Sequence, residues 1–285
     1  EKTGVPQAIV SDGGTDLKRA MELLHEEHPD VRHVLDMKHK NATLLKKELD
    51  RDDHWASFVS QANKTKLGVT QTSLAFINPP SLKTKARYMN LDTLVSWGIQ
   101  SLAYLDLPID VAEEPVDRRK LREKVGWLRG YRRALNRWAE LLAIARTAEE
   151  YVNKEGIHPL AHAELQACLQ PLATTAAGRR FRGALLSFVA EQSSGFSEGE
   201  RVIGSTEVLE SIIGKYKRLQ SSHSKGGMTA MLLSVGTIVG HLTTDRIARA
   251  LEMVTTADVM SWCKEHLGVT LQAQRKLAIG ATKTG

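Results

Sequence analysis

The chain has 285 residues, 42% of them hydrophobic and 25% charged, which is enough for one large domain or two modest ones and excludes disorder as a whole-chain description. Lysine and arginine total 39 against 33 acids, a formal charge of +6, in itself a weak pointer to a polyanionic partner. Its 2 cysteines, Cys168 and Cys263, stand far apart without paired spacing, which excludes a disulfide scaffold and reads as reduced thiols in a cytosolic protein.

Pro6 to Ser11 is a short apolar run that ends in the polar turn Asp12-Gly13-Gly14-Thr15-Asp16, the pattern of a buried strand. Asp16 stands at or near the N-cap of a helix in which Leu17, Ala20, Met21 and Leu24 share one face. His28-Pro29-Asp30 ends it. Val31 to Met37 reads as a second strand, with a helix from about Asn41. This order predicts two parallel strands joined by a right-handed crossover. After Asn78-Pro79-Pro80 the strand signal vanishes. Helical pattern then runs from about Lys83 to Leu105, and most strongly from Arg118 to Val152, where Val125, Leu128, Leu135, Trp138, Leu141, Leu142 and Ile144 mark an apolar side. Ser193 to Gly199 reads as a loop, Ser205 and Thr206 start a helix ending near Gln220, and Ser221 to Gly227 is a polar connection. Helices of roughly ten to fifteen residues finish the chain, with Thr243-Thr244-Asp245 and Thr255-Thr256-Ala257-Asp258 supplying caps. The most apolar window, Met228 to Leu242, carries glycines and His241 and falls short of the roughly 18 apolar residues of a membrane span.

Two strands do not make a stable sheet, so further strands are expected upstream of Glu1 and the chain reads as a fragment. The fold class expected is α/β but mostly helical.

Two places carry residues suited to chemistry. Asp12 stands where a strand gives way to a turn, and ligands bind at the carboxyl ends of parallel strands. The two glycines after it let a metal or substrate approach the backbone; the plainer alternative is a turn aspartate bonding its own backbone. In the segment Gly204 to Lys217, helical spacing puts Glu210, Ile213, Gly214 and Lys217 on one face, with Glu207 one turn before Glu210. A carboxylate there suits a divalent cation and the lysine a phosphate; an exposed helix whose charges follow its dipole is the plainer alternative. His33 and His39 lack partner spacing and read as packing or solvated residues.

The run Ala8-Ile9-Val10-Ser11-Asp12-Gly13-Gly14-Thr15-Asp16-Leu17 resembles the segment around the second catalytic aspartate of DDE transposases of bacterial insertion sequences, and Val34 to Asn41 resembles their next strand and the start of the helix after it. Leu209-Glu210-Ser211-Ile212-Ile213-Gly214-Lys215-Tyr216-Lys217 is similar to their helix bearing the catalytic glutamate. The resemblance implies an RNase H-like core, partial here with two parallel strands remaining, over residues 1–80. A large all-α insertion would follow over 81–195, then a return to the core with the glutamate helix over 196–222 and C-terminal helices over 223–285. It implies Asp12 and Glu210, with Glu207 as the alternative, as two of three carboxylates holding two Mg2+ ions about 3.5–4 Å apart. The third, the family's first aspartate, has no counterpart here and is expected upstream, which would leave this fragment inactive alone. The arginine often found one turn before the glutamate is Thr206 in this chain.

The activity so implied is metal-dependent cleavage and strand transfer at transposon ends, in the bacterial cytoplasm, by a homodimer on double-stranded DNA and without a membrane partner. For DNA contact, Arg118, Arg122, Arg129, Arg133 and Arg137 cluster loosely on one side if their segment is one helix, and Lys215, Lys217 and Arg218 lie beside the proposed site; such faces give salt-sensitive, sequence-independent affinity, unless they are ordinary solvated surface. Trp127 and Trp138 are expected in the core rather than stacked on a base. A transposase-derived DNA-binding protein without catalysis, and a helical scaffold whose basic face binds another protein, are the competing readings.

Overall fold

The computed structural model describes residues 4–81, 91–107, 117–222, 240, 243–266 and 274–275. It divides into two compact units, Glu1–Thr206 and Glu207–Gly285. Described residues are mostly helical, with two strands, β1 (Ala8–Ser11) and β2 (Arg32–Leu35), in one parallel sheet. The register pairs Ala8 with Arg32, Ile9 with His33, Val10 with Val34 and Ser11 with Leu35. The crossover is α1 (Thr15–Glu27). Both strands and their order follow the sequence expectation.

The start and burial of α1 differ from it. Gly14 occupies the N-cap and no side chain caps the helix, so Asp16 sits in the first turn and contributes only to the dipole. Of the face proposed for burial only Met21 is buried, while Leu17 remains 45% exposed. A two-stranded sheet is too narrow to cover a 13-residue helix. The next helix, α2 (Met37–Asp50), begins four residues earlier than expected because Asp36 caps it, accepting the His39 N–H.

The rest of the first unit is α3 (Asp53–Val69), α4 (Leu91–Asp106), α5 (Arg118–Val125), α6 (Arg132–Glu155), α7 (Ala161–Leu169) and α8 (Ala176–Ser193). Residues 82–90 of the helix expected from Lys83 lie outside the described residues. The long helix expected from Arg118 is interrupted by a 3-10 turn, Gly126–Tyr131, at a segment carrying Gly126 and Gly130, the weakest helix formers after proline. Its apolar side is nevertheless the core: Val125, Leu128, Leu135, Trp138, Leu141 and Ile144 are buried and Leu142 partly so.

At the centre Phe58 is fully buried, with the rings of Trp138 at 5.0 Å, Tyr131 at 5.4 Å and Trp127 at 5.5 Å. The indole N–H groups find partners, Trp127 on the Thr65 hydroxyl and Trp138 on Asp52, so both tryptophans belong to the packing, as expected. Asp52 also caps α3 and pairs with Arg137 at 2.9 Å. Helix α2 packs on α6 and α8, and α4 on α6. The first unit thus spans positions 80 and 195, and helices from both sides of position 80 share its core.

In the second unit α9 (Glu207–Ser222), α10 (Thr244–Met253) and α11 (Thr256–His266) are described. Thr243 caps α10, accepting the Arg246 N–H. Thr255 and Asp258 cap α11 reciprocally, each side chain accepting the other's backbone N–H. The apolar window 228–242 lies almost wholly outside the described residues, as does most of the connection expected over 221–227. No helix among the described residues is long and apolar enough to cross a membrane.

Phe58→Ala is expected to cost about 3–5 kcal/mol of stability, read as a fall in the denaturant midpoint; a loss under about 1 kcal/mol, within the range of ordinary surface substitutions, would show that the aromatic cluster is not the centre of the core.

Candidate functional site

The tip of β1 is built residue by residue. Ser11 is buried, its carbonyl accepts the Asp36 N–H at 2.8 Å, and its hydroxyl is 2.8 Å from His33 Nε2. Asp12 is exposed and its Oδ1 accepts the Gly14 N–H at 3.0 Å. Gly13 has φ 74°, and a Cβ there would stand 3.2 Å from Leu35 Cδ2, so both conformation and space call for glycine. The turn aspartate bonding its own backbone is therefore realised, and it still presents a carboxylate at the carboxyl end of a parallel strand.

Beside it lies a residue that the sequence reading passed over. Asp36, 1% exposed, ends β2, caps α2, and accepts both the N–H and the hydroxyl of Thr206, the N–H at 2.6 Å. Desolvation pushes its carboxyl up, but the hydrogen bonds from Thr206 and His39 outweigh it and hold the carboxyl below its ordinary value of 3.8. The Met37 N–H meets the Gly204 carbonyl at 2.9 Å. Segment 201–206 is further fixed by an antiparallel bridge between Ile157 and Val202. Gly204 lies so close to α6 that a Cβ would stand 2.5 Å from Val152 Cγ1. The chain therefore leaves β2 and, 170 residues later, returns to the same point. Thr206 thus has a structural task, donating both its N–H and its hydroxyl to Asp36. That an aspartate after an apolar strand caps a helix was legible; its partner so far along the chain left no local signal.

Glu207 and Glu210 lie in the first turn of α9. The helix is continuous through Lys217, so Glu210 and Lys217, seven residues apart, stand about 20° from alignment, as the sequence spacing requires. Lys215, Lys217 and Arg218 are exposed, and the Arg218 Nε–H lies 3.4 Å from the Gly214 carbonyl. Glu207 is exposed and Glu210 half-buried. Among the described residues no group of three or more His, Cys, Asp or Glu side chains is placed to hold a metal. In kind, Asp12 and Glu210 are hard oxygen donors of the sort Mg2+ takes.

The basic residues divide. The 3-10 turn breaks the single helical side expected through Arg118, Arg122, Arg129, Arg133 and Arg137, because its residues advance by about 120° rather than 100°. Arg129 and Arg132 both bind Asp106, the former at 3.1 Å, which holds that exposed carboxyl below its ordinary value through the Arg132 hydrogen bond first. Arg137 is taken by Asp52, and Arg118 lies over the Tyr104 ring. Arg122 and Arg133 remain exposed on α5 and α6. His33, half-buried, has its pKa lowered by burial and then by His25; His39 lies 3.3 Å from Asp36.

Compared with protein-family models, curated proteins and solved structures, the chain finds no match in any of the three.

Asp36→Asn keeps the shape but loses the charged acceptor, and at neutral pH is expected to lose about 1–3 kcal/mol of stability. Since the folded carboxyl titrates below the unfolded one, its contribution is complete above the ordinary value and is lost as pH falls through the folded value. Melting curves of the variant and the parent should therefore converge in strong acid; a gap independent of pH would assign the loss to something other than this charge.

Proposed function

We propose that this chain belongs to a DDE-type transposase, a metal-dependent nucleotidyltransferase that cleaves and joins DNA at the ends of its own mobile element in the bacterial cytoplasm. Asp12 and Glu210 are two of its metal-binding carboxylates in an RNase H-like core, with Glu207 the alternative to the second. The observation that carries this reading is the return of the chain to the end of β2: Met37 meets Gly204 and Asp36 holds Thr206. An insertion over 81–195 requires the chain that follows it to come back to the strand layer, and this contact is such a return.

Two Mg2+ ions would supply Lewis acidity and a water or 3′-hydroxyl of lowered pKa. The chain's own residues do the rest. Asp12 offers a carboxylate at the strand tip, and the two glycines after it leave the approach clear. Lys217 and its neighbours Lys215 and Arg218 offer charge to phosphates. Arg122, Arg129, Arg133 and Arg137 hold the duplex. For Arg129 this means leaving the exposed Asp106, an inexpensive exchange, since a surface ion pair is worth about 0–1 kcal/mol. The partners are double-stranded transposon ends and target DNA, bound by a homodimer.

A second reading is a transposase-derived DNA-binding protein without catalysis. The two readings part on activity. In the complete protein, Asp12→Asn and Glu210→Gln should each abolish Mg2+-dependent cleavage of DNA carrying the element's ends while a mobility shift on the same DNA persists. Cleavage retained in Asp12→Asn would remove that residue from the site, and a parent protein that shifts DNA but never cuts it would leave the non-catalytic reading standing. For the basic face, Arg122→Ala and Arg133→Ala should weaken duplex binding uniformly across sequences, each reducing the salt slope by about 1; a salt-independent affinity would make these arginines ordinary surface.

A further inference from the structure

We infer that His33 is a positioning residue for Asp12, acting through the hydroxyl of Ser11. The functional consequence rests on the reading of Asp12 as a metal ligand; the geometry does not. In the register of the parallel pair Ser11 stands opposite Leu35 and His33 opposite Ile9, so Ser11 and His33 share a face of the sheet as diagonal neighbours, a separation that long side chains span. His33 Nε2 reaches the Ser11 hydroxyl at 2.8 Å, and the Gly13 N–H points at that same hydroxyl at 3.4 Å.

The donors and acceptors form a consistent chain. Burial and then the neighbouring His25 lower the pKa of His33, and His25 itself is bonded to the Val31 carbonyl. A neutral His33 with its proton on Nδ1 accepts at Nε2. Ser11 then donates its hydroxyl hydrogen to the ring and keeps its lone pairs for the Gly13 N–H. One residue further on, the Gly14 N–H is taken by Asp12 Oδ1, and one residue back the Ser11 carbonyl is taken by the Asp36 N–H. The backbone on both sides of Asp12 is thereby fixed, and the imidazole is the side chain from outside the turn that holds the Ser11 hydroxyl. Without it the Ser11 hydroxyl is free to rotate away from Gly13, and the carboxylate loses its fixed orientation.

The test uses the full chain labelled with carbonyl-13C aspartate and 15N glycine. Asp12-Gly13 is the single Asp-Gly step in the sequence, so a carbonyl-filtered spectrum reports the Gly13 amide alone. Ser11→Ala and His33→Phe should move this resonance, whereas Ser11→Thr, which restores the hydroxyl, and His33→Gln, which restores a polar group near Nε2, should return it toward the parent position. Titration with Mn2+ alone, followed by paramagnetic broadening of the same amide, should show affinity reduced about 10-fold in the first two variants and recovered in the second two. A Gly13 resonance unmoved in His33→Phe, or Mn2+ affinity unchanged in both disruptive variants, would overturn the inference. Should His33→Phe fail to fold, Ser11→Ala against Ser11→Thr decides it. An unbroadened parent spectrum would instead sink the metal reading of Asp12, leaving the position of the Gly13 resonance to judge His33.

Discussion

A single buried carboxylate organises the first unit. Asp36 ends a strand, starts a helix and fastens a segment that arrives from far along the chain. A charge in such a place is tolerable only when its lone pairs are filled, and here the His39 N–H and both donors of Thr206 fill them. The same residue's N–H binds Ser11, so the tip of β1, the start of α2 and the returning chain are fixed relative to one another by hydrogen bonds from one residue. Gly204 completes the arrangement by permitting contact with Val152 that any side chain would prevent.

Local pattern made much of this visible. Short apolar runs bounded by turn residues gave both strands, and the apolar positions named after Arg118 supply six buried residues of the helical core. What the sequence hid was of two kinds. Helix phase was lost where Gly126 and Gly130 tighten the turn, and with it the continuity of the arginine side. Long-range partnerships were also invisible: nothing near Asp36 announces Thr206, and nothing near Asp52 announces Arg137 and Trp138. The face of α1 shows a third limit, because periodicity identifies a side fit for burial but cannot supply the surface that buries it.

The charged residues carry a related lesson. A tally of ten basic side chains between Arg118 and Arg146 suggests an open cationic track, yet Asp52 and Asp106, contributed by the start of α3 and the end of α4, engage three of them. The field such a surface projects is set by what remains after pairing, and the acids responsible lie outside the basic stretch. Spacing on α9 was more reliable, since an uninterrupted helix preserves the relation between Glu210 and Lys217.

The separation of 170 positions between Asp36 and Thr206 also has a kinetic meaning. Closing so long a loop of unstructured chain is entropically unfavourable, and the penalty must be met before the contact yields anything in return. Collapse of the intervening helices shortens the effective path, because their own neighbours in sequence pack first. The bonds from Thr206 to Asp36 are therefore expected to form late in folding, whereas the strand tip that carries Asp12 is held by partners within residues 11–36 and does not wait for them.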